Sequence, residues 1–486
     1  MPKDTVEPHP ETHTVNADFC VIGAGAGGVA VATTAAAFGQ RVVLIEKHKM
    51  GGDGLNYGSI PANALLAAAK RAQDMRTASP FGIRGVEPLI DHAAVNRYVT
   101  DVIARIAPNT TVERFGGMGI QVISAAAKFL NPTTVAAGEY RISARRFVIA
   151  TGSSPTIPPI PGLADVPYFT NETIFDNNAP IPHLIVVGAG TTGIELAQAH
   201  RRLGSRVTVI DAADALGDED SELAVVLLTQ LAAEGIVFRE GVRITRVSGT
   251  VGNITVEIAG NGESETERIE GSAILVAAGR KANVADLGLD NARIKVAGNA
   301  IKVNESLMTT NKRVYAIGDA AGGLRFAHVA AEQADVVLRR SLFRQSAKTV
   351  GRSTPRVVFT EPQFACVGLS EAEASTKYGR VNVLRWPYHE NDRAQIERKT
   401  EGHIKVITTK RGQILGAAIV GAEAGEIIQM WSLAISQRLN IKAMTQWISP
   451  YPTFSEINKK AAIRYFATVP SNPFLRKVIA LLAKLG

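Results

Sequence analysis

The chain carries one long motif twice. Residues 17–46 read ADFCVIGAGAGGVAVATTAAAFGQRVVLIE, and residues 182–211 read PHLIVVGAGTTGIELAQAHRRLGSRVTVID. Each copy runs from a short apolar stretch into G-x-G-x-x-G, then through an Ala-rich stretch of helical length, then into a second apolar stretch that ends in an acid. The glycines are Gly23, Gly25 and Gly28 in the first copy and Gly188, Gly190 and Gly193 in the second. The acid, Glu46 or Asp211, lies 23 residues after the first glycine in both. The spacing predicts strand, turn, helix and strand. The first glycine makes the tight turn, the second lets backbone N–H groups approach a pyrophosphate, and the third lets helix and strand pack closely. The helix N-terminus turns its partial positive charge toward the phosphates. The acid accepts hydrogen bonds from a ribose diol. A lone G-x-G-x-x-G is often only a glycine turn; two complete copies with one acid offset predict two dinucleotide sites.

A length of 486 residues has room for both units and for about one domain more. With 46% hydrophobic and 20% charged residues the chain buries large cores and is not disordered. Phe19 to Gln40 is uncharged and long enough to span a bilayer, but its glycine turn divides it into the strand and helix of a soluble unit. A net charge of +8 is modest for this length, and no Lys/Arg cluster is interleaved with aromatics, so no nucleic acid is expected as a partner. Residues 1–16 are polar, lack the apolar core of a signal peptide, and read as a flexible leader. Two cysteines, Cys20 and Cys366, cannot make a disulfide framework and point to a reducing, cytoplasmic setting. The histidines lack ligand spacing and there is no C-x-x-C, so no metal site is expected.

Two further segments suit a flavoprotein. A buried strand ends in Ala150-Thr151-Gly152 and leads into a Pro-rich crossing. Another, in TTNKRVYAIGDAAGG (309–323), ends in Gly318-Asp319, where a carboxylate can hold a polyol; a plain strand-end turn is the simpler reading. From about Ser353 the pattern changes to alternating strands and one amphipathic helix, GEIIQMWSLAISQRL, which reads as a separate α+β domain.

With these segments in place, residues 17–465 resemble the pyridine nucleotide–disulfide oxidoreductases, the family of dihydrolipoamide dehydrogenase, mercuric reductase and the soluble transhydrogenase. The landmarks are the first glycine loop with Glu46, Gly51-Gly52, ATGSSP, the second glycine loop with Glu195, AAGRKAN (277–283) with Gly279, YAIGDAAGG, TEPQFACVGLSEAEA (360–374) and YPTFSE (451–456). The resemblance implies an α/β fold with two Rossmann-like dinucleotide-binding domains and a C-terminal α+β dimerisation domain. It assigns FAD to 17–155 with 282–350, NAD(P)H to 156–281 and the homodimer interface to 351–466; the tail 467–486 lies beyond it and reads as an amphipathic helix from its own pattern. It places Gly52, Thr151, Gly152, Asp319 and His328 around the flavin and Glu195 near the nicotinamide.

The departures carry the functional reading. Where the family's redox centre is roughly G-G-x-C-x-N-x-G-C-I-P-S-K, residues 51–63 read GGDGLNYGSIPAN. Gly54 and Ser59 stand where the cysteines are expected, and the following lysine is absent. The family's H-P-T-x-S-E becomes Tyr451-Pro452-Thr453-Phe454-Ser455-Glu456. A thiolate accepts electrons because sulfur is nucleophilic and easily deprotonated; a serine hydroxyl is neither, and a tyrosine with a pKa of about 10 is a poor base. The loss of the whole set predicts no dithiol–disulfide exchange. Ser59, Tyr451, Glu456 and Glu195 remain as candidate catalytic groups, Ser59 and Tyr451 equally readable as space-filling. The implied activity is NAD(P)H oxidation through FAD with direct delivery to a small-molecule acceptor such as a quinone, another electrophile or dioxygen. Two other readings stand beside it: transhydrogenase-like hydride exchange, and a flavin-binding scaffold or sensor.

Asp211 favours NADH, since an acid that holds the 2′-OH repels a 2′-phosphate; Arg201 and Arg202 leave an opening for NADPH. Cys20 and Cys366 read as core residues. The segment 391–406, NDRAQIERKTEGHIKV, is expected to supply interface strands. In the tail, Asn472 caps and Pro473 opens a helix, with Phe474, Leu475, Val478, Leu481, Leu482 and Leu485 at helical spacing beside Arg476, Lys477 and Lys484. Residues 473–485 read either as a helix docked on protein or as one lying on an anionic membrane surface.

Overall fold

A computed structural model describes residues 13–260, 266–349, 351 and 354–484. The chain divides into two compact units. One contains Met1–Ile181, Arg246–Ile254 and Ser272–Thr349; the other contains Pro182–Thr245, Thr255–Gly271 and Val350–Gly486. The segment 156–281, expected as one nucleotide domain, is therefore shared. Part of it packs with the first unit because Arg280–Ala282 pairs with Ser153–Pro155 and the Asn171 side-chain amide donates to the Tyr57 carbonyl at 3.0 Å.

In the first unit, β1 (His13–Ile22), β2 (Val42–Glu46) and β3 (Ile120–Ser124) run parallel in the order β3-β2-β1. β6 (Tyr140–Ile149) lies parallel on the other side of β1, and Val314–Ala316 pairs with its end. An antiparallel pair, β4 (Ala127–Asn131) and β5 (Thr134–Ala137), continues the sheet beyond β6. The leader is shorter than expected: His13–Asn16 pair with Tyr140–Ser143, so the ladder along β6 draws them into β1. Residues 1–12 of that leader lie outside the described residues. Helix α1 (Ala26–Ala37) follows the first glycine loop and packs on the helix Ala327–Ser341. The apolar runs fill both faces, as parallel strands require: Val21, Leu44 and Val148 are buried on one side and Cys20, Phe147 and Ile149 on the other. Phe129 and Phe147 meet edge to face at 5.3 Å, worth about 1 kcal/mol beyond their burial.

The second unit repeats the strand–helix–strand pattern with parallel β8 (His183–Val187), β9 (Arg206–Ile210) and β10 (Ile236–Arg239). Its other part is a five-stranded antiparallel sheet in the order Arg356–Val358, Gln363–Gly368, Ile414–Gly421, His403–Thr408, Asn382–Pro387. Trp431 and Tyr388 are fully buried in its core. Their polar ends are satisfied: Trp431 Nε1 donates to Asn458 at 2.7 Å and the Tyr388 hydroxyl to the Ala422 carbonyl at 2.7 Å. Such pairing removes the penalty of a buried polar group. The expected single helix at 425–439 is two, Ala424–Ile427 and Gln429–Ser436. Asp392–Glu397, expected as strand, is helical because Asn391 caps it, accepting from Ala394 N–H at 3.0 Å. Lys405, nearly buried, holds Asp220, Glu222 and Glu371 at 2.8–2.9 Å, tying the start of the helix Ser221–Ala233 to the sheet.

Candidate active site

The first glycine loop and the ends of β2 and β6 enclose a cavity of about 380 Å³, lined by Gly23, Gly25, Glu46, Gly52, Thr151 and Gly152 among others. Each glycine of the loop has its own reason. Gly23 has φ +104°, and a Cβ there would strike the Ala150 carbonyl; a Cβ on Gly28 would strike the Gly23 carbonyl. Gly25 is extended, and above it lies only Gly52 Cα at 3.9 Å, which leaves the backbone open to a ligand. Gly52 itself (φ +64°) packs against Gly25, where a Cβ would come within 2.7 Å. Lys47, His48, Lys49 and Lys281 also line the cavity, together with the acids Asp53, Glu172 and Asp286.

Glu46 locks this loop. One carboxylate oxygen accepts from Ala24 N–H at 2.7 Å and the other from His48 N–H at 2.8 Å. The second unit repeats the device: Asp211 accepts from Ala189 N–H at 2.6 Å and from Ala213 N–H at 2.9 Å. A carboxylate has about four lone-pair sites, so each keeps capacity for ribose hydroxyls. Gly188 (φ +107°) makes the turn and Gly193 packs on its carbonyl. A Cβ on Gly190 would meet nothing within 4 Å. Both loops thus offer the open backbone that a dinucleotide needs.

Other sequence-chosen residues lie elsewhere. Asp319 accepts from the Ser153 hydroxyl at 2.5 Å instead of lining the cavity. His328 stacks on Phe326 at 5.3 Å, at the start of the helix Ala327–Ser341. Gly279 (φ +99°) serves as a turn. Ser59 opens helix α3 (Ser59–Arg76) and is exposed, outside the cavity lining. Gly54, in helix α2 (Gly52–Asn56), has neither a left-handed backbone nor a crowded one; a Cβ would sit 3.8 Å from Ala327 Cβ. The backbone does not demand glycine there.

Sequence reasoning missed Arg280. Its guanidinium reaches Asp53 Oδ1 at 2.8 Å, the Ser153 hydroxyl at 2.8 Å and the Ser153 carbonyl at 2.8 Å. This fork ties the cavity-lining Asp53 to β7 (Ser153–Pro155) and, through Ser153, to Asp319. The AAGRKAN landmark contained it, but its partners are far away in sequence.

In the second unit Glu195 is buried, and its carboxylate accepts from Phe359 N–H at 2.8 Å. Burial raises its pKa to about 7, the backbone hydrogen bond opposing. Arg202, which the sequence left open for a 2′-phosphate, is buried against Glu234 at 2.6 Å and Glu361 at 2.8 Å. Arg201 donates to the Glu234 carbonyl at 2.7 Å. Neither side chain is held toward Asp211 by these contacts. The Tyr451 hydroxyl donates to Asp392 at 2.9 Å, and this carboxylate raises the phenol's pKa. Glu456, another candidate in that motif, accepts from Thr453 N–H at 3.3 Å at the start of its own helix. Cys20 is fully buried in β1 and Cys366 sits 3.4 Å from Glu219; burial pushes both thiols up, reinforced for Cys366 by Glu219. Among the described residues no group of three metal-binding side chains occurs, and no helix is long and apolar enough to cross a membrane.

Comparison with known proteins agrees with this architecture. Residues 17–334 match the model described as pyridine nucleotide-disulphide oxidoreductase, and residues 354–462 match the dimerisation domain of that family. A mercuric reductase of Bacillus cereus is 32% identical over 454 residues, 92% of this chain and 71% of that protein. A dihydrolipoyl dehydrogenase of Chlamydia muridarum is 31% identical over 472 residues, 95% of this chain and 99% of that one. Among solved structures, LpdA from Mycobacterium tuberculosis superposes with a TM-score of 0.84 at 26% identity, covering 93% of this chain and 99% of that one. The HOCl-induced flavoprotein disulfide reductase RclA from Escherichia coli gives 0.82 at 26% identity, over 92% and 99%. Members of the family bind FAD and NAD(P)H, and the open glycine loops of both units and the cavity of the first fit dinucleotides. The chain is a member of the pyridine nucleotide–disulphide oxidoreductase family.

Proposed function

We propose that this protein oxidises NAD(P)H, with NADH preferred, and delivers the electrons from flavin straight to a small acceptor such as a quinone, another electrophile or dioxygen. Bound FAD supplies a two-electron relay between the nicotinamide and that acceptor. One observation carries the reading: the chain's only two thiols are Cys20 in β1 and Cys366 beside Glu219, and the stretch 51–63 has none. A thiol raised in pKa is a poor nucleophile at neutral pH.

The residues have separable roles. Glu46 and Asp211 orient the ribose ends by clamping their own glycine loops. Arg280 holds Asp53 at the cavity wall. Tyr451, kept protonated by Asp392, donates a proton to the reduced acceptor in the homodimer that the dimerisation domain supports. The commitment of Arg201 and Arg202 to Glu234 and Glu361 supports NADH over NADPH.

Anaerobic rapid mixing of the holoprotein with NADH tests this. The flavin absorbance should bleach within the mixing experiment and return on adding a quinone, an NADP⁺ analogue or oxygen, the fastest naming the acceptor class. No bleaching over minutes would leave a flavin-binding scaffold instead. Recovery only with the nucleotide analogue would make the protein a transhydrogenase.

A further inference from the structure

We infer that the C-terminal helix Pro473–Leu482 is a peripheral docking element for an anionic lipid surface. It is a formed helix: Asn472 accepts from Phe474 N–H at 2.9 Å and from Leu475 N–H at 3.4 Å, and Pro473 occupies its first turn. At about 100° per residue, Leu481, Phe474, Val478, Leu482, Leu475 and Ile479 fill one arc of about 160°. Arg476, Lys477 and Lys484 share the opposite arc. Most of the apolar arc is left without a cover: Phe474, Ile479, Leu481 and Leu482 are 59–72% exposed, Leu475 and Val478 are half-buried, and the helix has no buried residue. Leu485, which extends the pattern in the sequence, lies outside the described residues.

Charge selects the occupant. Residues 457–486 contain six Lys or Arg and no Asp or Glu, so this stretch holds six of the eight net positive charges of the chain. A second copy of the same helix would bring like charges together. Anionic headgroups complement the basic arc while the acyl boundary accepts the apolar one, the division that interfacial helices use. Docking there would also place the protein where lipid-soluble acceptors are concentrated, but the inference stands on the helix alone.

The test is sedimentation of the full-length, flavin-loaded protein with vesicles of phosphatidylcholine and phosphatidylglycerol (about 7:3) and with phosphatidylcholine vesicles. Binding is expected to the mixed vesicles, to weaken in high salt, and to be far weaker to the neutral ones. Arg476→Glu with Lys477→Glu should lower partitioning at least about 25-fold, since each lost basic charge costs about fivefold. Leu481→Glu should abolish it. Both variants should keep the flavin reduction rate with NADH, which shows that folding is intact. The emission that Phe474→Trp adds over wild type, after subtraction of Trp386, Trp431 and Trp447, should lie in the red without vesicles and shift to the blue with mixed ones. Failure to bind mixed vesicles, or blue emission in their absence, would overturn the inference, the latter by showing the face already covered by protein.

Discussion

Replacing Glu195 with glutamine gives a sharp test of the second unit. The carboxyl is buried, its Oε1 accepts from Phe359 N–H at 2.8 Å, and its pKa rises from 4.5 to about 7. A raised acid pKa means that the fold favours the protonated form. Its favourable contribution is therefore complete below pH 4.5 and is lost as pH rises through about 7. The shift corresponds to about 3 kcal/mol between the two limits. Glutamine keeps an oxygen for Phe359 N–H and cannot ionise, so the variant escapes that loss. For a chain of this length the unfolding entropy is about 1 kcal/mol/K, which makes the effect about 3 °C in Tm. Thermal unfolding of wild type and Glu195→Gln at about pH 5 and about pH 8.5 measures it, and taking the difference between proteins cancels the other titrating groups. The variant should gain about 3 °C on wild type between the two pH values. An unchanged gap would refute the burial argument for Glu195.

Three further outcomes follow from individual contacts. Lys405→Met strips the cation from Asp220, Glu222 and Glu371; it should destabilise by about 3 kcal/mol, the low end for a broken buried pair because two of the acids are partly exposed, read as a lowered melting temperature. Asp392→Asn removes the carboxylate that raises the pKa of Tyr451, so the alkaline fall of kcat should move to lower pH, whereas a structural role alone would leave the profile in place. Gly54→Cys with Ser59→Cys should fold, since Gly54 has room for a side chain and Ser59 is exposed. It should still fail to reduce lipoamide, because Tyr451 is a poor base; appreciable turnover in a lipoamide assay would show that argument to be wrong.

Both glycine loops were legible in the sequence because their geometry is local. Gly28 packs on the Gly23 carbonyl and Gly193 on that of Gly188, and the acid at the fixed offset lands on Ala24 or Ala189. Residues whose partners lie far along the chain were not legible. Arg280 meets Asp53 from 227 positions away and Tyr451 meets Asp392 from 59. Nothing in the local pattern marks either pair. Arg202 looked available near the second loop because its partner Glu361 comes from 159 positions away. The Thr453 N–H contact of Glu456 is local, three positions away, and was equally legible at the start of its helix. The short leader reflects the same limit, since His13–Asn16 become strand only through pairing with β6.

In the proposed reaction reducing equivalents leave the flavin without passing through sulfur. Anaerobic titration of the holoprotein with NADH, before and after thiol alkylation under native conditions, measures this most directly. The account predicts uptake of one hydride equivalent per flavin, no long-wavelength thiolate–flavin absorbance, and acceptor turnover untouched by alkylation. A charge-transfer band, uptake beyond one equivalent, or turnover lost on alkylation would contradict it.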